Sequence, residues 1–182
     1  MTVYLCTVGE KTTEVAKAEW ERLGFNVVVL DERETWYAKY TRFIRIAKGD
    51  CLRADADFIP NSKMMLFAHE AIESKALMAQ SRFWDFYRND IGIGGGVYYR
   101  QEGLEIIRNN LGLLDPKRPE ATAWRIPDMN PKTHTSNQIC GMHGFAQDKE
   151  TMERAWKHKV ERKQIKEYNF KLAFKLAEIA KQ

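Results

Sequence analysis

Residues 3 to 31 constrain the fold more than any other stretch of the chain. Val3 to Thr7 is a short β-branched and apolar run, followed by Gly9. Thr12-Thr13-Glu14 then gives a helix-start signal that leads through Val15 to Leu23 and ends at Gly24. Phe25 to Leu30 is a continuous apolar run suited to a buried parallel strand, with Asp31 just beyond it. A strand, a helix and a second strand in this order form a unit of α/β type, because parallel neighbours need a crossover connection.

The rest of the chain extends that pattern. Thr35 to Lys48 reads as a helix with Tyr37, Tyr40, Ile44 and Ala47 on one face, stopping at Gly49. Cys51 to Pro60 reads as a third strand. A helix is expected near Met64 to Ser74 and another at Leu104 to Leu111, with shorter strands at Lys75 to Gln80 and Gly96 to Arg100. Four prolines between Leu114 and Cys140 predict an extended, loop-rich connection there, the usual home of binding residues.

Composition fits one compact domain: 182 residues, 44% apolar and 30% charged. That excludes a collagen-like, low-complexity or disordered chain. The three cysteines, Cys6, Cys51 and Cys140, are odd in number and widely spaced, which points away from a disulfide framework and toward a reducing compartment. With no signal-like or membrane-spanning apolar run either, the expectation is a cytoplasmic protein. Net charge is +4, and residues 148 to 182 hold ten basic against six acidic groups, so the whole excess sits in this tail. There Met152, Trp156, Val160, Ile165, Tyr168, Leu172, Leu176 and Ile179 recur at helical spacing opposite Lys and Arg. The reading is a main unit at 1–147 and a basic amphipathic helical extension at 148–182 packed on it. That extension is also a candidate for contact between copies of the chain or for docking of the acceptor introduced below.

Asp55 and Asp57 carry the chemistry. Two carboxylates at i and i+2 of an extended strand point to the same side, about 7 Å apart. Their repulsion is relieved by a shared hard cation, and open sheets bind ligands beyond the carboxyl ends of their strands.

The segment Ile46-Ala-Lys-Gly-Asp-Cys-Leu-Arg-Ala-Asp-Ala-Asp-Phe-Ile-Pro-Asn61 resembles the run through the Asp-x-Asp motif of GT-A glycosyltransferases. Gly94-Gly-Gly-Val-Tyr-Tyr-Arg-Gln-Glu-Gly-Leu-Glu-Ile-Ile-Arg108 resembles the glycine-bearing strand and helix that follow in that family. Leu113-Leu-Asp115 and Pro119-Glu-Ala-Thr-Ala-Trp-Arg125 look like a degraded Glu-Asp motif, and Gly141-Met-His-Gly-Phe145 is similar to the segment of the late metal-binding His. The resemblance spans about residues 2 to 146 and is to a minimal, family-2-like member. It implies an α/β fold with a Rossmann-like GT-A mixed sheet flanked by helices, and transfer of a sugar from a nucleoside-diphosphate sugar, a UDP-sugar first, to an acceptor.

By the same resemblance Asp57 would bind a divalent ion directly, Asp55 would contact the ribose or sugar or reach the ion through water, and His143 would add a nitrogen ligand. Such a mixed oxygen and imidazole set suits Mn²⁺, with Mg²⁺ as substitute. Thr7, Val8 and Gly9 after the first strand, and Asp31 after the second, occupy the positions that cradle base and ribose. Arg42 and Arg45 are candidate diphosphate or base contacts, and Gly95 is placed against the donor. Glu120 is the candidate general base, with Asp115 and Asp128 as substitutes, since the Glu-Asp pair is not intact here.

The same residues admit other readings. Gly92 to Gly96 do not fit Gly-x-Gly-x-x-Gly and read instead as a turn with close approach to a ligand or a neighbouring strand. His134, Cys140 and His143 have usable zinc spacing without an evident fourth ligand. A nucleotidyltransferase would need a richer glycine and basic loop than Gly9-Glu-Lys11. A non-catalytic module binding nucleotide or nucleic acid through the basic tail is the reading from a different class.

Overall fold

The computed structural model describes residues 1–31, 35–129, 132–145, 147 and 153. The elements run β1 (Thr2–Thr7), α1 (Thr13–Arg22), β2 (Asn26–Asp31), α2 (Trp36–Ile46), β3 (Cys51–Asp55), β4 (Phe58–Pro60), α3 (Lys63–Glu73), β5 (Met78–Asp85), β6 (Asp90–Tyr99), α4 (Gln101–Asn109), α5 (Pro119–Ala123) and β7 (Thr133–His143). They build one mixed seven-stranded sheet of order β2-β1-β3-β6-β5-β7-β4, a Rossmann-like GT-A architecture. β2, β1 and β3 are parallel, β6 runs against β3, and β7 lies parallel to β5.

Alternation along the strands fills two cores. Val3 and Leu5 of β1 and Leu52 and Ala54 of β3 face α1 and α3, where Trp20, Met64 and Phe67 are fully buried. Tyr4, Cys6 and Cys51 face the opposite way, against Tyr40, Phe43 and Ile44 of α2 and Leu104 and Ile107 of α4. Helices therefore cover both faces, as a buried parallel sheet edge requires. The two helical starts differ in chemistry. Thr35 caps α2 by accepting the Ala38 N–H at 3.2 Å, whereas Thr12, at the head of α1, donates its hydroxyl to the Ala56 carbonyl at 2.8 Å. That second bond ties the first loop to the segment after β3.

Four expectations from the sequence are corrected. Cys51 to Pro60 is not one strand. The Ala56 N–H still bonds to the Cys6 carbonyl at 2.9 Å, but the chain then turns through Ala56 and Asp57, and β4 leaves β1 to pair antiparallel with β7. The strands expected at Lys75–Gln80 and Gly96–Arg100 are the far ends of a longer hairpin, β5–β6, turned by residues 86–89 with Asn89 at φ +50°. Gly92, Gly94, Gly95 and Gly96 lie within β6 and not in a turn. The proline-bearing stretch is only partly a connection, because α5 interrupts it and β7 occupies its second half. The basic amphipathic segment at 148–182 lies outside the described residues, Glu153 excepted.

Close approach does account for Gly95. A Cβ built there would stand 2.5 Å from the Phe58 ring and 2.8 Å from the Phe83 ring. Gly95→Ala is therefore expected to destabilise the protein by about 1–3 kcal/mol through overpacking. Thermal unfolding checks this, as a shift of roughly 2–4 °C per kcal/mol in a chain of this size.

Candidate functional site

Asp55 ends β3, Asp57 stands in the turn that follows, and His143 ends β7. The β4–β7 pairing places Phe58 opposite His143, which sets the imidazole beside Asp57 although 86 positions separate them in sequence. Ligand atoms of Asp55, Asp57 and His143 all lie within 4.8 Å of one another, and no other group of three among the described residues does so. The His143 Nε2 is 3.2 Å from Asp57 Oδ1, and its Nδ1 is 3.3 Å from Oδ1 of Asp85, a carboxylate with 1% exposure. Burial alone would depress the His143 pKa, but Asp57 and Asp85 outweigh it and carry the imidazolium up to about 10. The donor set of two carboxylates and one imidazole has the chemistry to hold a divalent cation.

Arg53 lies two residues before Asp55 in β3, on the same side of the strand, and is 1% exposed. Its Nη2 donates to Asp55 Oδ2 at 3.1 Å, its Nε faces Glu120 Oε1 at 3.5 Å, and its guanidinium carbon sits 4.6 Å from the centre of the Trp36 ring. Nε and Nη1 make no hydrogen bond. Glu120 also accepts from Tyr99 Oη at 3.0 Å, and the Tyr99 and Tyr40 hydroxyls are 3.3 Å apart. Burial raises the Glu120 pKa above the usual carboxylate value, with Arg53 pulling the other way. Beside this network opens a cavity of about 600 Å³ whose lining includes Trp36, Gln80, Gly94, Arg118, Glu120 and Trp124. Arg53 thus contacts both Asp55 of the cluster and the Glu120 carboxylate that lines the cavity.

The other residues singled out in the sequence fall as follows. Thr7 is buried, and its Oγ1 donates to Glu10 Oε2 at 2.6 Å and accepts the Gly9 N–H at 2.9 Å, while the Val8 N–H also reaches Glu10 Oε2. Val8 is exposed, and Gly9 takes φ +91°. Asp31 ends β2 in register with Thr7. Arg42 is half-buried and Arg45 exposed, in the later turns of α2. In the first turn Lys39, 2% exposed, donates its Nζ to the Thr7 carbonyl. Lys39 thus reaches the end of β1, about 9 Å of helical rise before Arg45. Gly95 directs its missing Cβ at Phe58 and Phe83, while its neighbour Gly94 lines the cavity. Asp115 and Asp128 are exposed. His134 pairs with Glu70 at 2.7 Å, so His134 and Cys140 do not join His143 in one cluster.

Sequence reasoning passed over Arg53, Lys39, Asp85 and Tyr87. Strand alternation alone sets Arg53 and Asp55 on one side, a usable signal. Asp85 carries none, since its role follows from the register Asp85↔His143 between β5 and β7.

No family model and no curated protein matches the chain. Solved structures do. The chain is similar to A197 from STIV (12% identity, TM-score 0.55, covering 74% of this chain and 81% of that one). It is similar to the 4-diphosphocytidyl-2C-methyl-D-erythritol synthase from Anaerococcus prevotii (9%, TM-score 0.56, 87% and 97%). It is also similar to a glycosyltransferase involved in glycosylation of the major capsid of PBCV-1 (14%, TM-score 0.50, 86% and 98%). The likeness is one of fold: a GT-A-like mixed sheet found in glycosyltransferases and nucleotidyltransferases. No helix of the described residues is long and apolar enough to cross a membrane.

The raised Glu120 pKa has a testable sign. A carboxyl that holds its proton more tightly when folded stabilises the native state below its unfolded value and loses that contribution as pH rises through the native one. The unfolding free energy of wild type minus that of Glu120→Gln is expected to be flat below about pH 4.5 and to fall above it, measured by urea denaturation across pH. A difference that grows with pH would contradict the assignment.

Proposed function

We propose that the chain is a metal-dependent glycosyltransferase that moves a sugar from a nucleoside-diphosphate sugar, a UDP-sugar first, to an acceptor hydroxyl. The observation that carries the reading is the cluster of Asp55, Asp57 and His143 at the carboxyl end of β3, joined through Arg53 to Glu120 at the cavity. Asp57 and His143 would hold the cation, with Asp55 as the third ligand or as a contact to ribose or sugar. The ion, Mn²⁺ first and Mg²⁺ second, supplies Lewis-acid stabilisation of the charge that develops on the diphosphate leaving group.

This chain's own groups then divide the remaining work. The loop from Thr7 to Gly9 and Asp31, at the ends of β1 and β2, receive base and ribose, and Lys39 adds positive charge beneath that loop. Glu120 takes the proton of the attacking hydroxyl, and its pKa, raised by burial, makes it a stronger base than an ordinary carboxylate. Arg53 and Tyr99 hold its carboxylate toward the cavity, where Trp36 and Trp124 offer flat apolar faces to a sugar ring.

A thermal-shift panel of UDP, GDP, CDP and their sugar conjugates, each with and without Mn²⁺, tests the reading. A donor at a hundred times its dissociation constant is expected to stabilise by about 2.7 kcal/mol, and only with the ion. Asp57→Asn is expected to abolish that metal-dependent shift. Glu120→Gln is expected to keep the shift and lose about 10²–10⁴ in kcat. Stabilisation by nucleoside triphosphates and not by nucleotide-sugars would instead favour a nucleotidyltransferase, and salt-sensitive nucleic-acid binding unaffected by Asp57→Ala a non-catalytic module.

A further inference from the structure

The hairpin turn after β5 takes part in the cluster from behind. Asp85 is the last residue of β5, and its Oδ1 accepts the Tyr87 N–H at 3.0 Å while facing His143 Nδ1 at 3.3 Å. The Tyr87 hydroxyl, two residues on, donates to Asp57 Oδ2 at 3.3 Å. The Phe86 N–H donates to the His143 carbonyl at 2.9 Å, and the Gly144 N–H to the Asp57 carbonyl at 2.9 Å, so the backbones of both ligand residues are fixed as well. The imidazole is held between two rings, with the Phe83 centroid at 5.1 Å and the Tyr87 centroid at 5.3 Å. A Cβ on Gly144, at φ +74°, would come within 2.5 Å of the Tyr87 ring, so the ring occupies the space a larger residue would need.

We propose that Asp85 and Tyr87 are positioning residues that present Asp57 Oδ1 and His143 Nε2 to a divalent cation. A histidine that donates Nδ1–H to a buried carboxylate keeps the tautomer in which Nε2 is the free electron-pair donor. The Tyr87 hydroxyl bonds Oδ2 of Asp57, and Oδ1 is the oxygen that stands 3.2 Å from Nε2. Asp55 follows the same rule, because Arg53 takes its Oδ2. One oxygen of each carboxylate is thus held from the protein side. The inference rests on the metal-site part of the proposed function and not on its substrate.

The test is Mn²⁺ binding to the full chain without nucleotide, followed by the EPR signal of free Mn²⁺. Wild type is expected to bind with a ¹⁴N coupling from the imidazole in the electron spin-echo spectrum. Asp85→Asn, which keeps the oxygen that accepts the Tyr87 N–H, is expected to weaken binding about 10–100-fold. Tyr87→Phe keeps the ring that fills the space beside Gly144 and is expected to weaken binding several-fold, with little change in metal-free melting temperature. Should the Asn variant not fold, Tyr87→Phe and the nitrogen coupling decide. Wild-type affinity in both variants overturns the inference, as does absence of Mn²⁺ binding or of nitrogen coupling in wild type. Mn²⁺ binding that depends on both residues in a protein that no nucleotide-sugar stabilises would uphold it and overturn the glycosyltransferase reading instead.

Discussion

The buried guanidinium of Arg53 is the interaction on which the site depends. A cation taken out of water carries a desolvation penalty of several kcal/mol, repaid only by close counter-charges and hydrogen bonds. Asp55 and Glu120 supply the charges and Trp36 supplies its ring face, so the end of β3, the start of α2 and the start of α5 are drawn to one point. Of these, Glu120 is the costly partner, since burial raises its pKa and Arg53 is what offsets that penalty. The network also leaves two guanidinium nitrogens without hydrogen bonds, an incomplete satisfaction unusual in a buried side chain.

A second constraint is topological. Had the chain run straight from Cys51 to Pro60 in one strand, Asp57 would have stayed in the sheet beside β1. The turn at Ala56 and Asp57 instead releases β4 to the far edge, where it pairs with β7. Thr12 holds that turn from one side through the Ala56 carbonyl and Gly144 holds it from the other through the Asp57 carbonyl. The sheet order therefore brings His143 to Asp57.

These two constraints explain what sequence could and could not disclose. The β1-α1-β2 unit was legible because its apolar runs and glycine stops are local signals. Asp55, Asp57 and His143 were legible as a set through the resemblance, and Glu120 through its place in a degraded motif. β7 was not: its first half, Thr-His-Thr-Ser-Asn-Gln, has no apolar alternation and is a strand because β5 pairs with it, β4 joining only at Gly141 to His143. Lys39 was obscured by Arg42 and Arg45, which look equally basic in sequence; helix phase and the position of Thr7 decide which cation is buried. Asp85 and Tyr87 become meaningful only once the register between β5 and β7 is known.

The assignment of oxygens within the cluster follows from the same geometry. Arg53 and Tyr87 each bind one oxygen of a different aspartate from the protein side, and Asp85 binds the rear nitrogen of His143. Arg53, Asp55, Asp85 and His143 come from strands or strand ends, while Asp57 and Tyr87 stand in the turns that directly follow β3 and β5. Two carboxylate oxygens facing each other repel unless something positive lies between them. His143 stands between two such groups, its Nε2 against Asp57 and its Nδ1 against Asp85, and these carboxylates are what raise its pKa against the effect of burial.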